Sequence, residues 1–159
     1  MWFVRVPPGR RICGVSDDHF SVVWSSIHYE PWTDDMLSVA FYLLTGRHRR
    51  TEGIYRWTLG YGAPDMSNPH RKWTEKRFHK AFDGLVDDGF VEYDGDAHVV
   101  LIVNALKRHG LNANQITGVV NAVEKLPQTP LLRRFFALAQ EHNQALFKKL
   151  TERFPQALT

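Results

Sequence analysis

The sequence predicts a mainly α fold with a small antiparallel β-wing, a winged helix-turn-helix followed by C-terminal helices. Three observations in residues 73–103, WTEKRFHKAFDGLVDDGFVEYDGDAHVVLIV, carry this expectation. Thr74 stands where a helix N-cap belongs, and Phe78, Ala81, Phe82, Leu85 and Val86 follow at the i, i+3, i+4, i+7, i+8 spacing of one buried stripe. Gly89 supplies the left-handed residue that stops such a helix. Residues 90–93 and 99–103 then read as strands joined by the turn formers Asp94, Gly95 and Asp96. The second strand is apolar throughout, which places it inside the sheet.

The rest of the chain is read around that stretch. With 159 residues, 43% of them hydrophobic, it can bury one sizeable, aromatic-rich core. Residues 1–19 form an N-terminal strand and loop segment, 20–104 the winged domain and 105–159 a helical extension. Residues 2–6 suit a short strand that Pro7, Pro8 and Gly9 end. Residues 20–24 suit a strand or the first turn of a helix, and Trp24 and Trp32 suit core or anchoring positions, with base stacking as the alternative. Thr33 caps a helix that carries Asp34 and Asp35 in its first turn. Met36, Leu37, Ala40, Phe41 and Leu44 form its apolar stripe, and Gly46 ends it. A short strand at 53–56 follows, and Thr58 caps a second helix reaching about Met66, short or irregular because of Gly60, Gly62 and Pro64.

Beyond the wing, Lys107, Arg108 and His109 read as a linker. Asn112, with Gln115 three residues on, has the pattern of a capping box for a helix that Pro127 stops. Thr129-Pro130 starts a last helix running through Phe135, Leu138, Leu146 and Leu150 to about Phe154. A helix of that length leaves an apolar face for packing across the domain or for a homodimer.

Charge is unevenly placed. Residues 45–80 hold nine basic and three acidic groups, whereas 81–104 hold six acidic groups and no Lys or Arg. The total of +3 hides this contrast, which sets a basic block beside an acidic one. In a winged helix the third helix meets the major groove with its first residues, and flanking cations hold phosphates. The candidate DNA-binding residues are therefore Arg47, Arg49, Arg50, Arg71, Lys72, Thr74, Lys76, Arg77, His79 and Lys80. The wing tip, acidic at Asp94 and Asp96, is not expected in the minor groove.

Catalysis has no support in the motifs. There is no HExxH, CxxC, GxxxxGK[ST] or GxSxG, so no enzyme, cofactor or metal is expected. His48 and His109 read as surface residues. Cys13 is the single cysteine and cannot form an intrachain disulfide, which favours a reducing, cytoplasmic setting. No signal peptide is evident, and the run SVAFYLLTG is too short to span a bilayer.

From residue 20 to about 136 the chain resembles the winged-helix domain of phage replisome-organiser and replication-initiator proteins, broadly DnaD-like in their N-terminal domain. The segments that carry the resemblance are FSVVWSSIHYEPW, DDMLSVAFYLLTGRHRRTEGIYRWTLGYGAPD, the helix and wing ending in VNALK, and NQITGVVNAVEKLPQTPLLRRFF, in that order. In that pattern Thr129 stands where a serine is found. The resemblance implies double-stranded DNA as the partner, a role at a replication origin and contact with host replication proteins. It implies no catalytic residue. The alternatives are a winged helix that binds a replication or transcription factor, and a transcriptional repressor.

Overall fold

The computed structural model describes residues 32–158. The expectations for the N-terminal strand, residues 20–24, Trp24 and Cys13 lie outside the described residues. The elements run α1 (Asp34–Thr45), β1 (Ile54–Arg56), a 3-10 turn (Leu59–Tyr61), α2 (Gly62–Met66), α3 (Glu75–Asp87), β2 (Val91–Asp94) and β3 (Val99–Ile102). Then come α4 (Ala105–Arg108), α5 (Ala113–Glu124), α6 (Leu131–His142), α7 (Gln144–Arg153) and a closing 3-10 turn (Pro155–Leu158). This is a winged helix-turn-helix with further helices behind it. Among the described residues no helix is long and apolar enough to cross a membrane.

The three strands form one antiparallel sheet in the order β1-β3-β2. The apolar strand β3 is therefore central, and all four of its residues are buried. Strand alternation assigns its side chains to two cores. Val100 and Ile102 share a face with Tyr55, Val91 and Tyr93 and join the core under α1 and α3. Val99 and Leu101 share the other face with Ile54 and join a second core built by α5, α6 and α7. The helices of residues 105–158 thus cover the back of the winged-helix sheet.

The caps form where the residue types place them. Thr33 Oγ1 accepts from the Met36 N–H and Thr74 Oγ1 from the Arg77 N–H, both at 3.2 Å. Asn112 and Gln115 close the reciprocal capping box. At the end of α3, Gly89 has φ +80°, and its N–H reaches Val86 O while that of Phe90 reaches Leu85 O. These two bonds make a Schellman stop, and only glycine enters the left-handed region without strain.

Several expectations are corrected. The last helix is not continuous: it breaks at Asn143, whose side chain accepts from Leu146 N and caps α7. The two halves fold back on one another, so Phe135, Leu138, Leu146 and Leu150 are all buried. The apolar side chains expected along this helix pack within the chain's second core. The 107–109 linker is mostly the short helix α4, and Thr58 makes no capping bond. In α1 the buried face is Val39, Ala40 and Leu43 while Phe41 is exposed, because a run apolar on nearly all sides does not choose its own face. Val86 is also exposed, at the solvent edge of the α3 stripe. Of the two glycines expected to weaken the second helix, Gly62 serves packing and Gly60 faces open space. A Cβ on Gly62 would lie 2.1 Å from the Phe78 ring, so its absence lets α2 approach α3.

Candidate nucleic-acid interface

Helix α3 is held from below by aromatic packing. Phe78 and Phe82 stack on each other, Phe82 stacks on Trp57 and Phe78 meets it at a tilt, with Tyr93 edge-on to Trp57 and Phe82. Buried Trp57 also donates from Nε1 to Tyr42 Oη at 3.1 Å, and Tyr42 donates on to Asp65 at 2.8 Å. Burial together with this carboxylate raises the Tyr42 phenol well above its ordinary range. Rings with polar tips fix both depth and rotation, which aliphatic packing alone does not.

The turn before α3 is similarly set. Ser67 Oγ donates to Ala63 O and accepts from Trp73 N, both at 2.8 Å, and Asn68 Oδ1 accepts from the N–H groups of His70 and Arg71. This leaves Arg71, Lys72, Thr74, Lys76 and Lys80 exposed on the turn and the first half of the helix, with His79 half-buried. Lys76 and Lys80 are one turn apart, roughly 6 Å along the axis. Among the described residues, Lys72, Lys76 and Lys80 make no hydrogen bond or ion pair.

The arginines behave differently. Arg77 donates from Nε and Nη2 to the two oxygens of Asp35 at 2.8 and 2.7 Å, and its guanidinium lies 4.1 Å from the Trp73 ring centre. Arg71 covers the same ring at 5.3 Å and approaches Asp35 at 3.9 Å. The hydrogen bond from Arg77, aided by the charges of Arg77, Arg71 and Lys80, holds the Asp35 carboxyl below the usual range, and Arg77 is raised in return.

The other basic group is elsewhere. Arg47 bonds Asp65 at 2.8 Å beside His48, which stacks on Tyr61 and contacts the same carboxylate. His48 is thus half-buried rather than a plain surface residue. Arg50 bonds the buried Glu52 at 2.8 Å, and burial lowers the Arg49 guanidinium from its ordinary value. These residues follow α1, whereas Asp35 and the Arg71–Arg77 cluster lie at its start, so the 12-residue helix of about 18 Å separates the two groups. The structure gathers Arg71 and Arg77 at one end and Arg47, Arg49 and Arg50 at the other.

No family model, curated protein or solved structure matches this chain. Fold and charge placement therefore carry the functional argument.

The wing is turned towards the C-terminal helices. Glu92 and Asp94 lie on the sheet face that meets α6, where Arg134 donates to Glu92 at 3.0 Å and Thr129 Oγ1 to Asp94 at 2.5 Å. Asp94 also accepts from the N–H groups of Asp96 and Ala97, so its side chain shapes the turn, while the left-handed residue is His98 rather than Gly95. The hydrogen bond from Thr129, ahead of those backbone bonds, keeps the Asp94 carboxyl below the usual range. Beside it opens a cleft of about 630 Å³ lined in part by Tyr93, Asp94, Asp96, Pro127 and Pro130. Among the described residues no group of three or more His, Cys, Asp or Glu side chains is arranged to hold a metal ion.

Sequence reasoning found the helix, its cap and its lysines. It missed Asp35 as the partner of Arg77, because the two are 42 residues apart and neither position carries a local signal.

Proposed function

We propose that this is a double-stranded DNA-binding winged-helix protein of phage or mobile-element origin, acting in replication initiation. The observation that carries DNA binding is the row of exposed, uncommitted lysines at 72, 76 and 80 on and before the third helix. That end of a helix also presents the positive pole of its dipole. The replication role and origin rest on the family resemblance of the ordered sequence segments. The test is an anisotropy titration of the full chain against a labelled duplex at about 50 and 200 mM salt. Release of counterions from three phosphates weakens binding by at least roughly 40-fold across that range. Absence of binding, or affinity indifferent to salt, ends the reading.

A second reading, a module that binds a replication or transcription factor, is favoured by the acidic cleft beside the wing. Capture of the same host protein with and without nuclease treatment supports it, whereas a partner lost on nuclease treatment returns the case to DNA.

A further inference from the structure

We propose that α3 holds duplex DNA through its phosphates with little discrimination between bases, and that Arg77 positions the helix without touching DNA. The proposal rests on the DNA-binding reading and narrows it to a sequence-tolerant grip.

Base edges in the major groove are read most exactingly by planar forks and amides: arginine, with lysine a less directional second, on guanine, and Asn or Gln on adenine. Helix α3 contains no Asn or Gln, and its one arginine is Arg77. Both Nε and Nη2 of Arg77 are occupied by Asp35, and its flat face is packed on Trp73. The face of the fork that would read guanine is therefore engaged by Asp35, although the side chain stays about one-third exposed at the surface. Its effect is to tie the first turn of α3 to the first turn of α1. What α3 presents outward as cations are Lys76 and Lys80, with Lys72 just before the cap and Arg71, half exposed, laid over the Trp73 ring towards Asp35. These are compact charges on flexible stems, suited to phosphate oxygens and poor at demanding one base. The wing adds no compensating contact, since Glu92 and Asp94 are engaged by α6 and the tip residues Gly95 and Asp96 bear no cation.

The experiment has two arms, both on the full chain. Selection from a randomised duplex pool enriches no motif, and unrelated duplexes bind within about tenfold of each other, against the ~10³- to 10⁷-fold preference of a site-specific binder. In salt titrations, Lys76→Gln and Lys80→Gln each take about 0.9 off the slope of log affinity against log salt. Arg77→Gln leaves that slope unchanged, with circular dichroism confirming the fold. Asp35→Asn guards against an Arg77 variant that unfolds: it frees the guanidinium, and the slope steepens by up to about 0.9. An enriched motif with site-specific preference overturns the proposal while leaving DNA binding intact. So does a loss of slope in folded Arg77→Gln equal to that in Lys76→Gln, or an unchanged slope in Asp35→Asn. Failure of every duplex to bind removes the DNA reading and this proposal together.

Discussion

The two faces of the sheet differ in kind. The face under α3 is aromatic and tipped with hydrogen bonds: Trp57 to Tyr42, Tyr55 Oη to Leu43 O at 2.8 Å, and Leu59 N to Tyr93 Oη at 3.2 Å. The face under α5–α7 is mostly aliphatic, with Ile54, Val99, Leu101, Val119, Val123, Leu146 and Leu150 around Phe135 and Phe136. Both bury apolar area, and both draw on β3. The aromatic side adds directional bonds that set the rotation of helices whose outer surface is exposed. The interior of the aliphatic side closes the back of the sheet by volume, and its directional bonds, Arg134 to Glu92 and Thr129 to Asp94, lie at the rim, where they hold the wing. Directional bonds are concentrated under the helix whose outer surface carries the open lysines.

The largest expected effects test whether these two cores are one cooperative unit. Trp57→Ala on the aromatic side costs roughly 3–5 kcal/mol and Leu146→Ala on the aliphatic side roughly 2–5 kcal/mol. Because β3 belongs to both, urea unfolding followed by tryptophan fluorescence and by far-ultraviolet dichroism gives coincident transitions in each variant. Transitions that separate would divide the molecule at the sheet. A smaller change sharpens the contrast in directionality. Tyr42→Phe preserves the ring but strands the buried Trp57 N–H, costing about 1–3 kcal/mol in the same assay. A cost near zero would reduce the aromatic face to shape alone.

The smallest effect concerns acid. Asp35 has a lowered pKa in the folded chain, so its contribution is fully present above the unfolded value of 3.8 and is lost as pH falls through the lower, folded value. Asp94 behaves likewise through its bond to Thr129. The thermal midpoint of the wild type therefore declines below about pH 3.8, and Asp35→Asn shows a shallower decline by removing one of the two groups. Equal declines would mean that the Arg77 pair contributes nothing to folding.

Much of the winged domain was legible in the sequence. Thr33, Thr74, Asn112 and Gly89 announce their helix ends because caps and left-handed stops are local, and β3 announces itself as central by being apolar on both sides. Other features were not legible. Asn143 breaks the last helix, yet an asparagine within a helical pattern does not by itself reveal a reversal. Phe41 and Val86 fit an apolar period but face solvent, since only the neighbouring helices decide which side of a broad apolar stripe is covered. The candidate interface divides in the same way. The row of lysines is a property of the sequence, whereas the engagement of Arg77 by Asp35 and Trp73 is a property of the packing.

By itself, then, the sequence determined the order of helices and strands, the caps and the separation of basic from acidic stretches, because each depends on residues a few positions apart. Only the tertiary structure decided that the C-terminal helices back the sheet, that the acidic wing is bound to α6, and that the cations near α3 fall into an engaged arginine pair and an open row of lysines. Those outcomes depend on contacts across 42 residues for Arg77 and Asp35 and 35 for Asp94 and Thr129. At such separations it is the packing of whole elements, not local preference, that selects a side chain's partner.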